Sequence, residues 1–599
     1  MRPAVILLAL ALALACVGAL PGAAARRLTG KERTYEVGDP VPLLANKIGP
    51  FSNPSETYRY YDLPFCQPEK LEKQKGGLGD AMDANRMTNT PYEIKFREDV
   101  DSATLCTAKL DKKAVGKLLK AVEAEYYFNM YFDDLPLWGF IGKTEQDTHA
   151  STADYKRLLH THLPLEVAYN EDRVIEVHVA HDASEADDVV DITDGEPREV
   201  TFTYSVAWKP TTIPYAQRMD KYARYSFLPQ HMEIHWFSIV NSCVTVLLLT
   251  GFLATILLRV LRKDVIKYQG DEEALDDAEE TGWKYVHADV FRFPRRRGLF
   301  CALVGTGYQL LLLSVLLFAL ALAGQFYPHN RGAIMVALVL LYAFTAWVSG
   351  YASGMYFRQM GGGNWVRNTL VTCAVLAGPF FATFCWNNTV AIAYRSTAAL
   401  PLSTIALLFF IWGAVTVPLT IAGAIVGKNS RSTFAAPVRT NKYPRETPDL
   451  TWFRSTPAQM VMAGFLPFSA IYIELYYIFA SVWGHKVYTI YSILAVVYCI
   501  LVLVTAFITV ALTYFQLAAE DHRWWWRSFL CGGSTGVFVY AYCFYYYFFR
   551  ADMSGMLQTS FYFGYMACIC YAFFLMLGTV GWRASLAFVR YIYGSVKCE

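Results

Sequence analysis

The chain has 599 residues, 54% of them apolar, 16% aromatic and 17% charged, with a formal net charge of +2. Soluble chains carry about 25% charged and about 45–50% apolar residues, so this composition, with a mean hydropathy of +0.25, excludes an ordinary soluble protein and points to a polytopic membrane protein. The near-neutral charge lacks the basic footprint of a nucleic-acid binder, and the abundance of apolar residues excludes disorder.

The N-terminus, MRPAVILLALALALACVGALPGAAA, has Arg2, an apolar run over 4–20, a Pro21-Gly22 break and then Ala23, Ala24 and Ala25. This is the pattern of a secretory signal peptide over 1–25, which would deliver the chain from Arg26 onward to the lumen. A retained signal anchor is the alternative reading.

Residues 26–235 hold no apolar run long enough to cross a bilayer and are expected to form a lumenal, β-rich, sandwich-like domain. Period-two alternation marks strands at 92–96 (YEIKF), 163–169 (LPLEVAY), 173–179 (RVIEVHV) and 198–208 (REVTFTYSVAW). The stretch 111–128 is helical by pattern, with Val115, Leu118, Leu119 and Val122 on one face. Cys66 and Cys106 are the two cysteines of this region and are expected to pair in an oxidising compartment, with two buried thiols as the alternative.

Nine apolar stretches come next, near 236–258, 299–323, 333–357, 369–386, 403–426, 458–482, 489–515, 529–549 and 559–580, giving a nine-helix transmembrane domain over 236–580. With the N-terminal domain in the lumen, the loops 259–298, 358–368, 427–457 and 516–528 and the tail 581–599 become cytosolic. These hold 22 Lys and Arg residues against 4 in the short lumenal loops, as the positive-inside rule requires. The C-terminus is thereby expected in the cytosol.

No phosphate loop, zinc-protease motif or nucleophile elbow occurs, so no catalytic residue, metal site or cofactor is expected and the chain is read as a non-enzyme. His160/His162, His178/His181 and His231/His235 lack a third ligand at matching spacing. Glu474, inside the sixth span, is the informative polar residue there, since an intramembrane carboxylate needs a partner, a cavity or a proton. A proton or cation site, a polar anchor for another protein's span and an ordinary interhelical hydrogen bond all stay open.

Gly350/Gly354 and Gly423/Gly427 form two Gly-x-x-x-Gly pairs, suited either to packing within the bundle or to docking of a cargo protein's span. RWWWR at 523–527 fits an interfacial anchor. Asn387 heads the only glycosylation sequon, at the membrane edge. Lys597 and Glu599 form a terminal Lys-x-Glu.

Several segments then read together: IGPFSNPSETYRYYDLPFC (48–66), YFDDLPLWGFIG (131–142), YSVAWKPT (204–211), HMEIHWFSIVNS (231–242) and GWKYVHADVFRFP (282–294). FRQMGGGNWVRN (357–368), VRTNKYPRETP (438–448), IYIELYYIFASVWGHKVY (471–488) and LTYFQLAAEDHRWWWRSF (512–529) continue the series. The chain resembles a shorter-type nonaspanin, a member of the transmembrane 9, or EMP70-like, superfamily. The GGGNW segment departs from the GGTNW often found there. The resemblance implies residence in Golgi and endosome membranes, retained by COPI through Lys597 and Glu599. It also implies a role in sorting and surface delivery of cargo membrane proteins with glycine-rich spans. The alternative is a secondary transporter or channel for a small solute or ion that uses Glu474.

Overall fold

A computed structural model describes residues 33–74, 76–146, 155–180, 189–219, 222, 236–270, 282–326, 332–449, 451–484 and 491–595. The leader-like segment 1–25, His181, His231 and His235, and Lys597 and Glu599 lie outside the described residues.

Twelve strands are described in the first part of the chain: β1 (Leu43–Pro50), β2 (Tyr58–Arg59), β3 (Thr88–Asn89), β4 (Val100–Leu110), β5 (Tyr126–Phe132), β6 (Leu135–Phe140), β7 (Gly142–Gln146), β8 (Tyr155–His160), β9 (His162–Asn170), β10 (Arg173–Val179), β11 (Val189–Asp191) and β12 (Arg198–Pro210). They form a five-stranded sheet in the order β2-β1-β5-β6 with β3 also on β1, a four-stranded sheet β10-β9-β12-β4, and a three-stranded sheet β11-β8-β7. The β9–β12 pairing is parallel, with Val206 opposite Leu165.

One apolar core joins the sheets. Along β12, Val200, Phe202, Tyr204, Val206 and Trp208 are all buried, so the alternation seen in the sequence faces one side of the sheet inward. The β5–β6 hairpin turns through Asp133 and Asp134 at φ 45° and 64°, the left-handed pair that a two-residue type I′ turn requires.

The helix begins where Asp111 caps it, accepting from the Ala114 amide, and runs over Lys112–Glu123 with Val115, Leu118 and Val122 buried. It stops short of 128 because Tyr126 already belongs to β5. Residues 92–96 differ from expectation. Ile94 and Phe96 are buried as alternation demands, but this stretch makes only an isolated bridge, Pro40 to Lys95. Its backbone is satisfied by the segment 38–41, with Val41 N donating to Ile94 O at 2.9 Å.

The remainder is helical: α1 (Trp236–Gly270), α2 (Arg297–Leu322), α3 (Ala333–Gln359), α4 (Trp365–Ala393), α5 (Leu402–Asn429, with a π turn at Trp412–Thr416), α6 (Thr456–Val482), α7 (Tyr491–Ala518), α8 (Trp524–Phe549) and α9 (Met556–Ser595). Seven of these, α2–α7 and α9, are long and apolar enough to cross a membrane, against the nine spans expected. Two helices outrun their apolar stretches furthest. α1 continues past 258 to Gly270, and α9 continues past 580 to Ser595. In α9 the reason is packing: Ser585, Leu586, Val589, Ile592 and Tyr593 keep a buried stripe at helical spacing.

The two glycine pairs face each other across α3 and α5. A Cβ on Gly350 or Gly354 would fall against the carbonyls of Thr420 or Ala424, and one on Gly423 or Gly427 against those of Trp347 or Tyr351. The backbones therefore touch, and both Gly-x-x-x-Gly faces are spent on one another rather than left open to another protein's span. Gly423→Ile is expected to separate the helices and cost about 3 kcal/mol or more, read as a lower melting temperature of the purified protein while a conservative change at exposed Phe410 leaves it unchanged.

Candidate functional site

The helix connections sort into two groups, and the polar chemistry gathers where each group meets. At one end the α2–α3, α4–α5 and α8–α9 connections meet the strand-bearing part. The loop after β1 supplies the contact. Asn53 Oδ1 accepts from Ser554 N at 3.0 Å, and Ser55 N donates to Gln558 Oε1 at 2.9 Å. The Thr57 carbonyl accepts from Thr397 N at 2.9 Å and from Ser396 Oγ at 2.8 Å, while the Thr57 and Thr397 hydroxyls lie 2.6 Å apart.

Asn53, Thr57, Ser396, Thr397 and Gln558 are all buried, and the side-chain bonds between Thr57 and the Ser396-Thr397 turn are shielded from water. A second strut runs from the buried Asn46 of β1, whose Oδ1 accepts from Arg86 N at 2.8 Å, to Arg86 Nη2, which donates to Ala399 O at 3.0 Å. Gly79 lies against Gly332, backbone to backbone. The SNPSETY segment is thus a clamp on the helices. Asn53→Ala would remove the side-chain partner of the Ser554 amide at a cost of about 0.5–1.5 kcal/mol. The expected outcome is a lower melting temperature and faster proteolysis of the strand-bearing part.

At the other end the α1–α2, α3–α4, α5–α6 and α7–α8 connections converge on one hub. Trp524 and Trp526 donate from Nε1 to the carbonyls of Val290 and Arg295 at 2.8 and 2.9 Å. Trp524 and Trp525 are buried and stack at 4.7 Å, and Phe300 packs edge-on to Trp526 at 5.0 Å and to Trp582 at 5.5 Å. The interfacial-anchor reading of RWWWR is therefore corrected: these rings form the core of the hub, where the Trp524 and Trp526 N–H groups find carbonyls and each ring finds an aromatic partner.

Asp289 is fully buried and ties two connections together. It accepts from Arg292 Nη2 at 2.6 Å and from Arg445 N at 3.2 Å, while Arg445 Nη1 donates to Tyr285 O at 2.6 Å. Asn441 N donates to Ala288 O at 2.9 Å. Asp264 Oδ2 accepts from Tyr514 OH at 2.6 Å and from Trp283 Nε1 at 3.2 Å, and the Tyr593 hydroxyl of α9 donates to Trp283 O. Asp521 accepts from Gln516 Nε2 at 3.1 Å and pairs with Arg527 at 3.4 Å.

Burial lowers the pKa of the His522 imidazole below its usual range, against the pull of Asp289 and Asp521. A group whose folded pKa is depressed adds stability above its unfolded value of about 6.5, and that stability is lost as pH falls. The melting temperature of the purified protein is expected to drop between pH 7.5 and 5.5, by less in His522→Gln than in the natural chain.

The structure also places the other residues singled out by sequence. Glu474 is buried on α6, on the stripe with Ile471, Leu475 and Phe479 that packs against neighbouring helices. It lines neither a cavity of about 500 Å³ among the strands nor one of about 510 Å³ in the hub. Cys66 and Cys106 are joined in a disulfide, Cα to Cα 6.0 Å, which ties the loop after β2 to β4.

Asn387 is fully buried in α4, where Oδ1 accepts from Ser560 Oγ of α9 at 3.3 Å. The sequon that Asn387 heads therefore lies inside the helix bundle. His162 is held by Thr203 and Ser205, and His178 by Glu166 and Glu176. Asp289, Arg445, Asn53 and Thr57 went unnoticed as site residues. The signal available was their place inside the motifs 282–294, 438–448 and 48–66, whose polar residues fit no local turn or cap.

The family model described as Endomembrane protein 70 matches residues 57–556. The chain is 59% identical over 585 residues to "Transmembrane 9 superfamily member 3" of Arabidopsis thaliana, covering 97% of this chain and 98% of that protein. It is 46% identical over 585 residues to "Transmembrane 9 superfamily member 1" of Bos taurus, covering 96% of each. No solved structure matches.

Proposed function

Because the chain belongs to the Endomembrane protein 70 family, the transmembrane 9 superfamily, we propose that it is a non-enzymatic sorting protein of Golgi and endosome membranes. Membership makes it a multi-pass membrane protein of the endomembrane system. In this reading the strand-bearing part is lumenal and the hub cytosolic. Cargo membrane proteins are engaged by the lumenal part or by the outer faces of the helices, and COPI is recruited through Lys597 and Glu599.

The observation that carries the reading is the course of α9. It starts at the clamp, where Gln558 receives Ser55, and ends at Ser595 beside Tyr593 of the hub. Lys597 comes two residues later. The connections that meet at the hub are also those with the excess of Lys and Arg, as a cytosolic face requires. Since the paired glycines are buried between α3 and α5, cargo spans would dock elsewhere on the bundle. Of the seven helices long and apolar enough to cross a membrane, α5 is the least buried, at 11% of its apolar window.

The test is the full chain carrying Lys597→Ala and Glu599→Ala, imaged in cells. Loss from the Golgi with appearance at the cell surface is expected. Unchanged Golgi residence would refute coat-mediated retention.

A further inference from the structure

The hub holds a cavity of about 510 Å³, within the roughly 300–1,000 Å³ of small-molecule sites. Phe293 and Phe434 form an aromatic wall, Arg297 and Arg358 supply cations, and Ser432 and Thr433 supply hydroxyls. No carboxylate lines it among the described residues. Arg292, which also borders it, is already neutralised by Asp289.

Arg297 and Arg358 differ from Arg292, in that neither has a carboxylate partner among the described residues. Arg297 Nη1 donates to Met360 O at 2.6 Å, and Arg358 Nη1 donates to Lys428 O at 2.8 Å and to Ser430 O. A guanidinium has five N–H donors, so each keeps donors to spare and a full positive charge. A further cation, Arg590 of α9, lies 4.5 Å over the Phe434 ring, with its Nε buried and without a hydrogen-bond partner. The site has accumulated positive charge that the protein itself leaves unmatched.

Its level in the fold narrows the ligand. Arg297 is the first residue of α2 and Arg358 the penultimate residue of α3, both helices apolar enough to cross a membrane. The cavity therefore sits where hydrocarbon gives way to headgroups. Guanidinium forks match phosphate oxygens, hydroxyls match a polyol, and an aromatic wall suits the C–H face of a ring. We propose that this cavity binds the phosphorylated polyol headgroup of an anionic lipid in the adjacent leaflet. That the leaflet is the cytosolic one rests on the orientation proposed above; the chemistry of the site does not.

The test uses the purified full chain in detergent, titrated with dioctanoyl phosphatidylinositol 4-phosphate, with dioctanoyl phosphatidylinositol and with free inositol 1,4-bisphosphate. The readout is intrinsic fluorescence, since Trp525 lies 5.9 Å from Phe434. The phosphorylated lipid is expected to bind at least about tenfold more tightly than the unphosphorylated one, as one charge-assisted contact provides. Arg358→Gln is expected to weaken it by a similar factor. Thr433→Asp does so as well, by placing a negative charge at an exposed position of the lining.

Equal binding of the two lipids, or binding unchanged in both variants, would overturn the proposal. Free inositol bisphosphate binding as tightly as the phosphorylated lipid would overturn the lipid assignment in favour of a soluble phosphate. The measurement in detergent reads the site whichever side it faces, so its outcome is separate from that of the Golgi-retention test.

Discussion

Apolar helices that succeed one another through a bilayer leave their polar connections at alternating ends, and every backbone group freed there must find a partner. The structure depends on this constraint. Connections that are far apart in sequence are collected at two places, and each collection is closed by hydrogen bonds to buried side chains. At the clamp the partners come from the loop after β1, through Asn53, Ser55 and Thr57. At the hub they come from the connections themselves, with Asp289 holding Arg292 and the Arg445 amide, and Trp524 holding Val290. α9 runs between the two and joins them mechanically.

How much of this could be read from the sequence depends on the range of each interaction. Helix positions and the alternation of β12 are local patterns, and both are visible. Helix ends are less so. Hydropathy stops where charged residues begin, yet α9 continues because helical spacing of buried residues, not lipid, carries it on. The three tryptophans after Arg523 look like an interfacial belt because arginine beside tryptophan at a helix end has that composition. Their true partners lie some 230 residues earlier in the chain. The paired glycines announce close packing but not its partner, which the sequence left between the bundle and another protein's span. Asn53 and Thr57 are polar residues in a Pro-containing loop, and only the distant α8–α9 and α4–α5 connections reveal why they are needed.

The two ends differ in chemical character, and this bears on what each can do. The clamp is built mainly of uncharged amides and hydroxyls and fixes the strand-bearing part to the helices. The hub is rich in arginine and aromatic residues, part of that charge is unmatched, and the chain passes from it directly to Lys597 and Glu599. A face of that kind fits the headgroup and coat binding proposed above; the opposite face, with a disulfide and three sheets on a common core, fits the lumenal placement proposed for it.

The separation of these two faces by a membrane is the premise on which the rest stands, and one measurement reaches it directly. An Asn-x-Thr acceptor is introduced in the exposed turn around Asp194 and Glu196 of the strand-bearing part, and in a second protein around Lys442 of the hub. Each is then synthesised into microsomes, where glycans are added only on the lumenal side. The account predicts a glycan at the first position and none at the second. Modification at both, or at Lys442 alone, would contradict it.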